Sequence, residues 1–126
     1  MIYGTGIDLV KISRIEQILN RWGKRFVDRV FTAEEIRISN SRAKPSSAFA
    51  IRFAAKEAFS KAIGLGMRKG VRWRDIEVFN HNTGKPGLKL HGRSLELCNE
   101  NNITAIHISL SDEGDYGVAM VILEQK

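Results

Sequence analysis

A chain of 126 residues and 14.2 kDa has the length for a single hydrophobic core, and its 43% hydrophobic and 27% charged residues exclude low-complexity disorder. The net charge of +6 is unevenly spread: residues 1–75 hold 16 Lys and Arg against 7 Asp and Glu, a net of +9, and residues 76–126 hold 4 against 7, a net of −3. A basic half of this kind attracts nucleic acid, a phosphorylated small molecule or an acidic protein, whereas the single cysteine, Cys98, excludes an internal disulfide framework and a cysteine-built zinc site.

No apolar run approaches the ~20 residues that span a bilayer, and Met1–Gly4 opens without the basic and apolar regions of a signal peptide. One domain over residues 1–126 and a cytoplasmic location are therefore expected, and the Asn102-Ile103-Thr104 sequon reads as a chance match.

Residues 2–10 read as a short buried strand, with Ile7 and Leu9 on one face and Gly4, Gly6 and Asp8 on the other. A helix follows. Ser13 and Glu16 fit a capping box, and Ile12, Ile15, Leu19, Trp22 and Phe26 recur at helical spacing. Thr32 and Glu35 fit a second capping box, opening a helix over 34–39. Ser46 or Ser47 caps a longer helix running to about Ile63, which Gly64 and Gly66 stop. Residues 73–79 read as a strand, 80–87 as a turn, 88–90 as a short strand and 94–101 as a helix. In 103–111, Ile106, Ile108 and Leu110 face one way and His107, Ser109 and Ser111 the other. The turn 112–115 joins this strand to a last one over 116–123, as a hairpin. The order β-α-α-α-β-β-α-β-β predicts an α+β fold, with a mainly antiparallel sheet packed against a long central helix and shorter helices.

Asp8 stands between apolar neighbours, and a buried carboxylate is costly unless it is paired or holds a cation. Glu57 is either an i,i+4 surface partner of Lys61 or a packed carboxylate, since Phe53, Glu57 and Lys61 form one row beside Ala50 and Ala54. Two hard oxygen ligands on separate elements suit Mg²⁺, which takes one or two carboxylates together with phosphates and waters. Gly64-Leu65-Gly66 is a helix stop, or a place where backbone approaches a phosphate. His81, His91 and His107 lack metal-ligand spacing, and nothing marks Cys98 as a nucleophile. Arg14, Arg21 and Arg25 fall within ~40° of one another on a helix that persists to residue 25, forming a basic ridge with few acids nearby. That ridge is either a solvated face or a binding surface.

Four stretches together resemble the holo-[acyl-carrier-protein] synthase family of phosphopantetheinyl transferases. They are Gly4-Thr5-Gly6-Ile7-Asp8-Leu9-Val10, the block Arg52-Phe53-Ala54-Ala55-Lys56-Glu57-Ala58-Phe59-Ser60-Lys61-Ala62, Asp75–Val78 with Gly84-Lys85-Pro86, and Ile106–Asp112. The resemblance spans nearly the whole chain and matches the short, trimeric class. It implies the fold of that family and transfer of 4′-phosphopantetheine from coenzyme A to a serine of an apo acyl carrier protein, in support of fatty acid biosynthesis. Adenosine 3′,5′-bisphosphate would be released.

The resemblance further implies Asp8 and Glu57 as Mg²⁺ ligands in a catalytic group with Lys61. Lys61 would meet the pyrophosphate or leaving group, and Gly64–Gly66 would lie against the phosphates. Lys85, Pro86, His107 and Ser109 would lie near the nucleotide across a subunit boundary, and Arg14, Arg21 and Arg25 would receive the acidic carrier protein. Leu65 stands where relatives often carry Thr, and Ser111-Asp112-Glu113 replaces a His that many carry.

A small nucleic-acid-binding domain also explains +6 and the arginines. It does not explain carboxylates at apolar positions, and the chain lacks clustered exposed aromatics for base stacking. A non-catalytic trimeric scaffold has no use for the metal pair. Neither a nucleic-acid nor a membrane partner is expected.

Overall fold

The computed structural model describes residues 1–126. Its elements are β1 (Ile2–Lys11), α1 (Ile12–Trp22), α2 (Lys24–Val30), α3 (Ala33–Asn40), α4 (Pro45–Ile63), a 3₁₀ turn (Trp73–Asp75), β2 (Ile76–Asn80), β3 (Pro86–Leu90), α5 (Gly92–Glu100), β4 (Ile103–Glu113) and β5 (Tyr116–Gln125). The expected α+β architecture is present, as two antiparallel sheets: β1-β5-β4 and the hairpin β2-β3. The central helix is α4, which packs across β1 and β5.

Alternation along the three-stranded sheet decides what meets α4. Gly6, Val121 and Ile108 lie in one cross-strand row and are buried. The next row, Ile7, Met120 and Ser109, points away from the helix. Ile7 and Leu9, expected in a buried strand, are 61% and 67% exposed. They lie on the outer sheet face, which no element of the same chain covers.

The inner face is packed unusually closely. The α4 side that meets the sheet carries Ala54, Ala55, Ala58 and Ala62, all nearly or fully buried. A Cβ on Gly6 would stand 1.9 Å from the Ala58 carbonyl oxygen, and one on Gly4 2.1 Å from that of Ala62. Glycine is needed on β1 because helix backbone occupies the side-chain space.

Three local expectations are corrected. The first helix breaks at Gly23, whose φ of +51° and ψ of −125° suit only glycine, so Phe26 and Arg25 belong to α2. Ser13 and Glu16 form no capping box. Instead Asp115, in the β4–β5 turn, accepts from Ser13 N at 2.9 Å and from Ser13 Oγ at 2.6 Å, a cap delivered from across the chain. Lys44 is the N-cap of α4 and Pro45 its first residue, where a missing N–H is harmless. The Thr32–Glu35 capping box forms as expected.

Glu35 does more than cap. Its Oε2 accepts from Val78 N at 2.9 Å, and Lys56 Nζ donates to its Oε1 at 2.7 Å, to the Trp73 carbonyl at 3.1 Å and to the Ile76 carbonyl. Both side chains are fully buried. The pair ties α3, α4 and the start of β2 together, one residue before Glu57.

Candidate functional site

The close approach of β1 to α4 brings Asp8 to the side of the helix that carries Glu57 and Lys61. Asp8 shares the inner face with Gly4 and Gly6 and is largely buried, with 17% of its side chain exposed. Lys61 Nζ donates to Asp8 Oδ1 at 3.1 Å and to the Ile7 carbonyl at 2.9 Å. Glu57, one helical turn before Lys61, is half-buried. Burial pushes its carboxyl above the ordinary carboxylate range, and the charge of Asp8 pushes the same way, opposed by Lys61. Two carboxylates and an ammonium thus share one place; of the two readings of Glu57, the packed carboxylate fits rather than the surface partner of Lys61, which bonds Asp8 instead.

No group of three or more His, Cys, Asp or Glu is gathered anywhere in the chain. Two hard oxygen donors without a third fit a cation that keeps waters and takes substrate oxygens, rather than one held in an all-protein cage. A divalent ion would relieve the repulsion from Asp8 that adds to burial in raising Glu57.

The other expected residues lie outside this cluster. Gly64 (φ +89°) and Gly66 (φ +64°) end α4 in left-handed conformations. The N–H groups of both donate to the Ser60 carbonyl, each at 3.2 Å, so these donors are engaged in capping, while open space surrounds the missing Cβ positions. Lys85 is exposed in the β2–β3 turn and Pro86 begins β3. His107 pairs with Glu124, and Ser109 stands opposite Met120 on the outer sheet face. No hydrogen bond joins any of these four to the Asp8 cluster within one chain.

The arginine ridge changes form. Gly23 places Arg25 on a separate helix from Arg14 and Arg21, yet the exposed Trp22 ring reunites two of the three: Arg21 and Arg25 lie over it at 5.1 and 5.9 Å. Beside it Ile18, Phe26 and Arg29 complete an apolar, arginine-edged groove.

Sequence reasoning missed a second basic place. A cleft of about 640 Å³ is lined by Arg42, Lys44, Ser47, Arg52 and Asn80 among others. Arg52 is 5% exposed, its Nη1 donates to the Ala48 carbonyl at 3.1 Å, and its Nε has no partner. A buried guanidinium with an unpaired donor is costly. The available signal was Arg52 itself, a charge on the Ala-rich face of α4.

Fold and cluster together define a small α+β protein with a carboxylate–ammonium site and, apart from it, arginine-lined surfaces. The family model of the 4′-phosphopantetheinyl transferase superfamily matches residues 4–121, and the chain belongs to that superfamily. Its likeness within the superfamily is specific. It is 46% identical over 125 residues to a holo-[acyl-carrier-protein] synthase of Geobacter sulfurreducens, covering 99% of each chain. Among solved structures, a holo-[acyl-carrier-protein] synthase from Neisseria meningitidis superposes with a TM-score of 0.92 at 39% identity, over 99% of this chain and 100% of that one. The Helicobacter pylori holo-[acyl-carrier-protein] synthase in complex with coenzyme A superposes at 0.84 with 32% identity, over 95% and 99%.

Proposed function

We propose that the chain transfers 4′-phosphopantetheine from coenzyme A to a serine of an apo acyl carrier protein, in a Mg²⁺-dependent reaction that releases adenosine 3′,5′-bisphosphate. The observation that carries this reading is the convergence of Asp8, Glu57 and Lys61 at the β1–α4 contact, in a chain whose relatives are holo-[acyl-carrier-protein] synthases.

The chemistry follows from the groups present. Attack of a serine hydroxyl on the β-phosphoryl needs alignment, a proton acceptor and charge neutralisation. Glu57, with its carboxyl raised, is suited to accept the serine proton. Lys61 is half exposed on a flexible stem and can meet charge developing on the departing bisphosphate. Asp8 and Glu57 would hold the Mg²⁺, which when bound supplies neutralisation of the pyrophosphate.

Coenzyme A also carries anionic groups away from the reacting bond, and the cleft lined by Arg42, Lys44 and Arg52, whose cations outnumber its one acid, Asp112, is suited to them. Lys85, Pro86, His107 and Ser109 lie off the cluster in their own chain, which is consistent with their serving a neighbouring subunit. The uncovered apolar row Ile7, Leu9 and Met120 supports that assembly, read here as a homotrimer. Arg14, Arg21 and Arg25 face solvent, the last two over the Trp22 ring, and suit an acidic carrier protein. The same reading gives a role in fatty acid biosynthesis in the cytoplasm, and no helix is long and apolar enough to cross a membrane.

The test is chromatographic. Adenosine 3′,5′-bisphosphate should accumulate only when coenzyme A, Mg²⁺ and an apo carrier protein are all present, and not with a carrier whose acceptor serine is Ala. Release without the carrier, or unchanged release in excess chelator, contradicts the proposal.

A further inference from the structure

Lys56 and Lys61 sit on the same helix, five residues apart, and are held in opposite ways. Lys56 is sealed, with three acceptors and no exposure. Lys61 has two acceptors, the Asp8 carboxylate and the Ile7 carbonyl, and 52% of its side chain is exposed. Its ammonium therefore stands against the carboxylate that the proposed function gives to the metal, and it can leave on its flexible stem while α4 stays in place.

We propose that the Lys61 ammonium and the divalent cation exchange at Asp8. In the metal-free protein Lys61 occupies the Asp8 oxygen and offsets the repulsion between Asp8 and Glu57. When the cation binds, Lys61 is expelled and turns outward to the anionic groups of the substrate.

The exchange rests on reading Asp8 and Glu57 as the metal pair, and it follows from charge. A divalent ion on the two carboxylates cancels the negative charge that holds the ammonium and competes for the Asp8 oxygen, and the half-exposed hydrogen bond that opposes it is worth little. The Ile7 carbonyl alone cannot keep a charged amine there once Asp8 is taken. One residue thus serves as a placeholder for the cation in the resting protein and as a substrate contact in the loaded one. This arrangement keeps two carboxylates close together without a bound metal.

The experiment is a Mg²⁺ titration of the protein carrying ¹³C at the lysine ε-carbons, followed by NMR. The Lys61 signal is assigned by its loss in Lys61→Met. Expected is a Mg²⁺-dependent shift of the Lys61 signal with the Lys56 signal unmoved, no such shift in Asp8→Asn, and Mg²⁺ binding about two- to fivefold tighter in Lys61→Met, the scale of an exposed ion pair removed. Saturating Mg²⁺ that shifts the backbone signals of Asp8 and Glu57 but leaves Lys61 in place overturns the exchange and leaves the metal pair standing. If Mg²⁺ shifts nothing at Asp8 or Glu57, even with coenzyme A present, the metal pair fails and the exchange fails with it.

Discussion

Substituting Gly6 with Ala tests the contact on which the site depends. The new Cβ would lie 1.9 Å from the Ala58 carbonyl oxygen, 2.9 Å from its carbon and 2.8 Å from Ala62 N. Ordinary contact begins near 3.4 Å, so the nearest pair is about 1.5 Å too close. Every obstructing atom is helix backbone, and no side chain can rotate away. Either β1 lifts from α4 or the helix bends, at a cost of ~1–3 kcal/mol or more for an overpacked core, which lowers the melting temperature by roughly 5–12 °C at this chain length. Asp8 is two residues along the same strand and faces the same way, so its carboxylate moves with the strand. A misplacement of ~1 Å at reacting groups costs about 100-fold in rate. Transfer measured well below the melting point of Gly6→Ala should therefore fall by about two orders of magnitude while the protein remains folded. Gly4→Ala, whose Cβ would meet the Ala62 carbonyl at 2.1 Å, should lose stability comparably but activity less, because it lies farther from Asp8. Wild-type melting together with wild-type transfer in Gly6→Ala would refute the reasoning.

Four other outcomes are expected. Lys56→Met strands a buried Glu35 carboxylate and should lower the melting temperature by roughly 10–20 °C, the scale of a broken buried pair, with partial recovery when Glu35→Gln is added; a change under ~2 °C argues against the pair's structural role. The Glu57 carboxyl is raised in the folded chain, so its ionisation opposes folding and stability is lost as pH rises through the folded value. Glu57→Gln should therefore melt higher than wild type at pH 8, and the gap should close below about pH 4, where the carboxyl is protonated in both states; a constant gap contradicts this. Sedimentation should give the mass of three 14.2 kDa chains for the wild type and of one for Leu9→Glu, whereas an active wild-type monomer rules the trimer out. Reversing Arg14 and Arg21 to Glu should raise the apparent KM for the carrier protein about tenfold at low ionic strength, leave that for coenzyme A unchanged and remove most of the salt dependence; unaltered carrier kinetics would make the ridge a solvated face.

The sequence discloses what local chemistry decides. The Thr32–Glu35 box, the stop at Gly64 and the β4–β5 hairpin depend on neighbours in the chain, and each is found in the structure. Asp8 and Glu57 stood out because carboxylates at apolar positions need a reason. What escaped depends on distant partners. Ser13 is capped by Asp115, 102 residues away, so the local Ser13–Glu16 pattern misled. The helical stripe through Phe26 continued across Gly23 because apolar periodicity does not register one positive φ. Nothing local marks Lys56, because its partners lie on α3 and around β2. Ile7 and Leu9 read as part of a buried strand because hydropathy does not distinguish an inner sheet face from an outer one that its own chain leaves uncovered.

The most direct test is the intact mass of a purified apo acyl carrier protein after incubation with this protein, coenzyme A and Mg²⁺. Phosphopantetheine moving intact onto one serine adds roughly 340 Da, as expected for transfer of the whole phosphoryl-bearing group. A complete shift by that amount is the predicted result, absent when Mg²⁺ is chelated. A carrier that keeps its original mass with all components present and the protein folded would contradict the account.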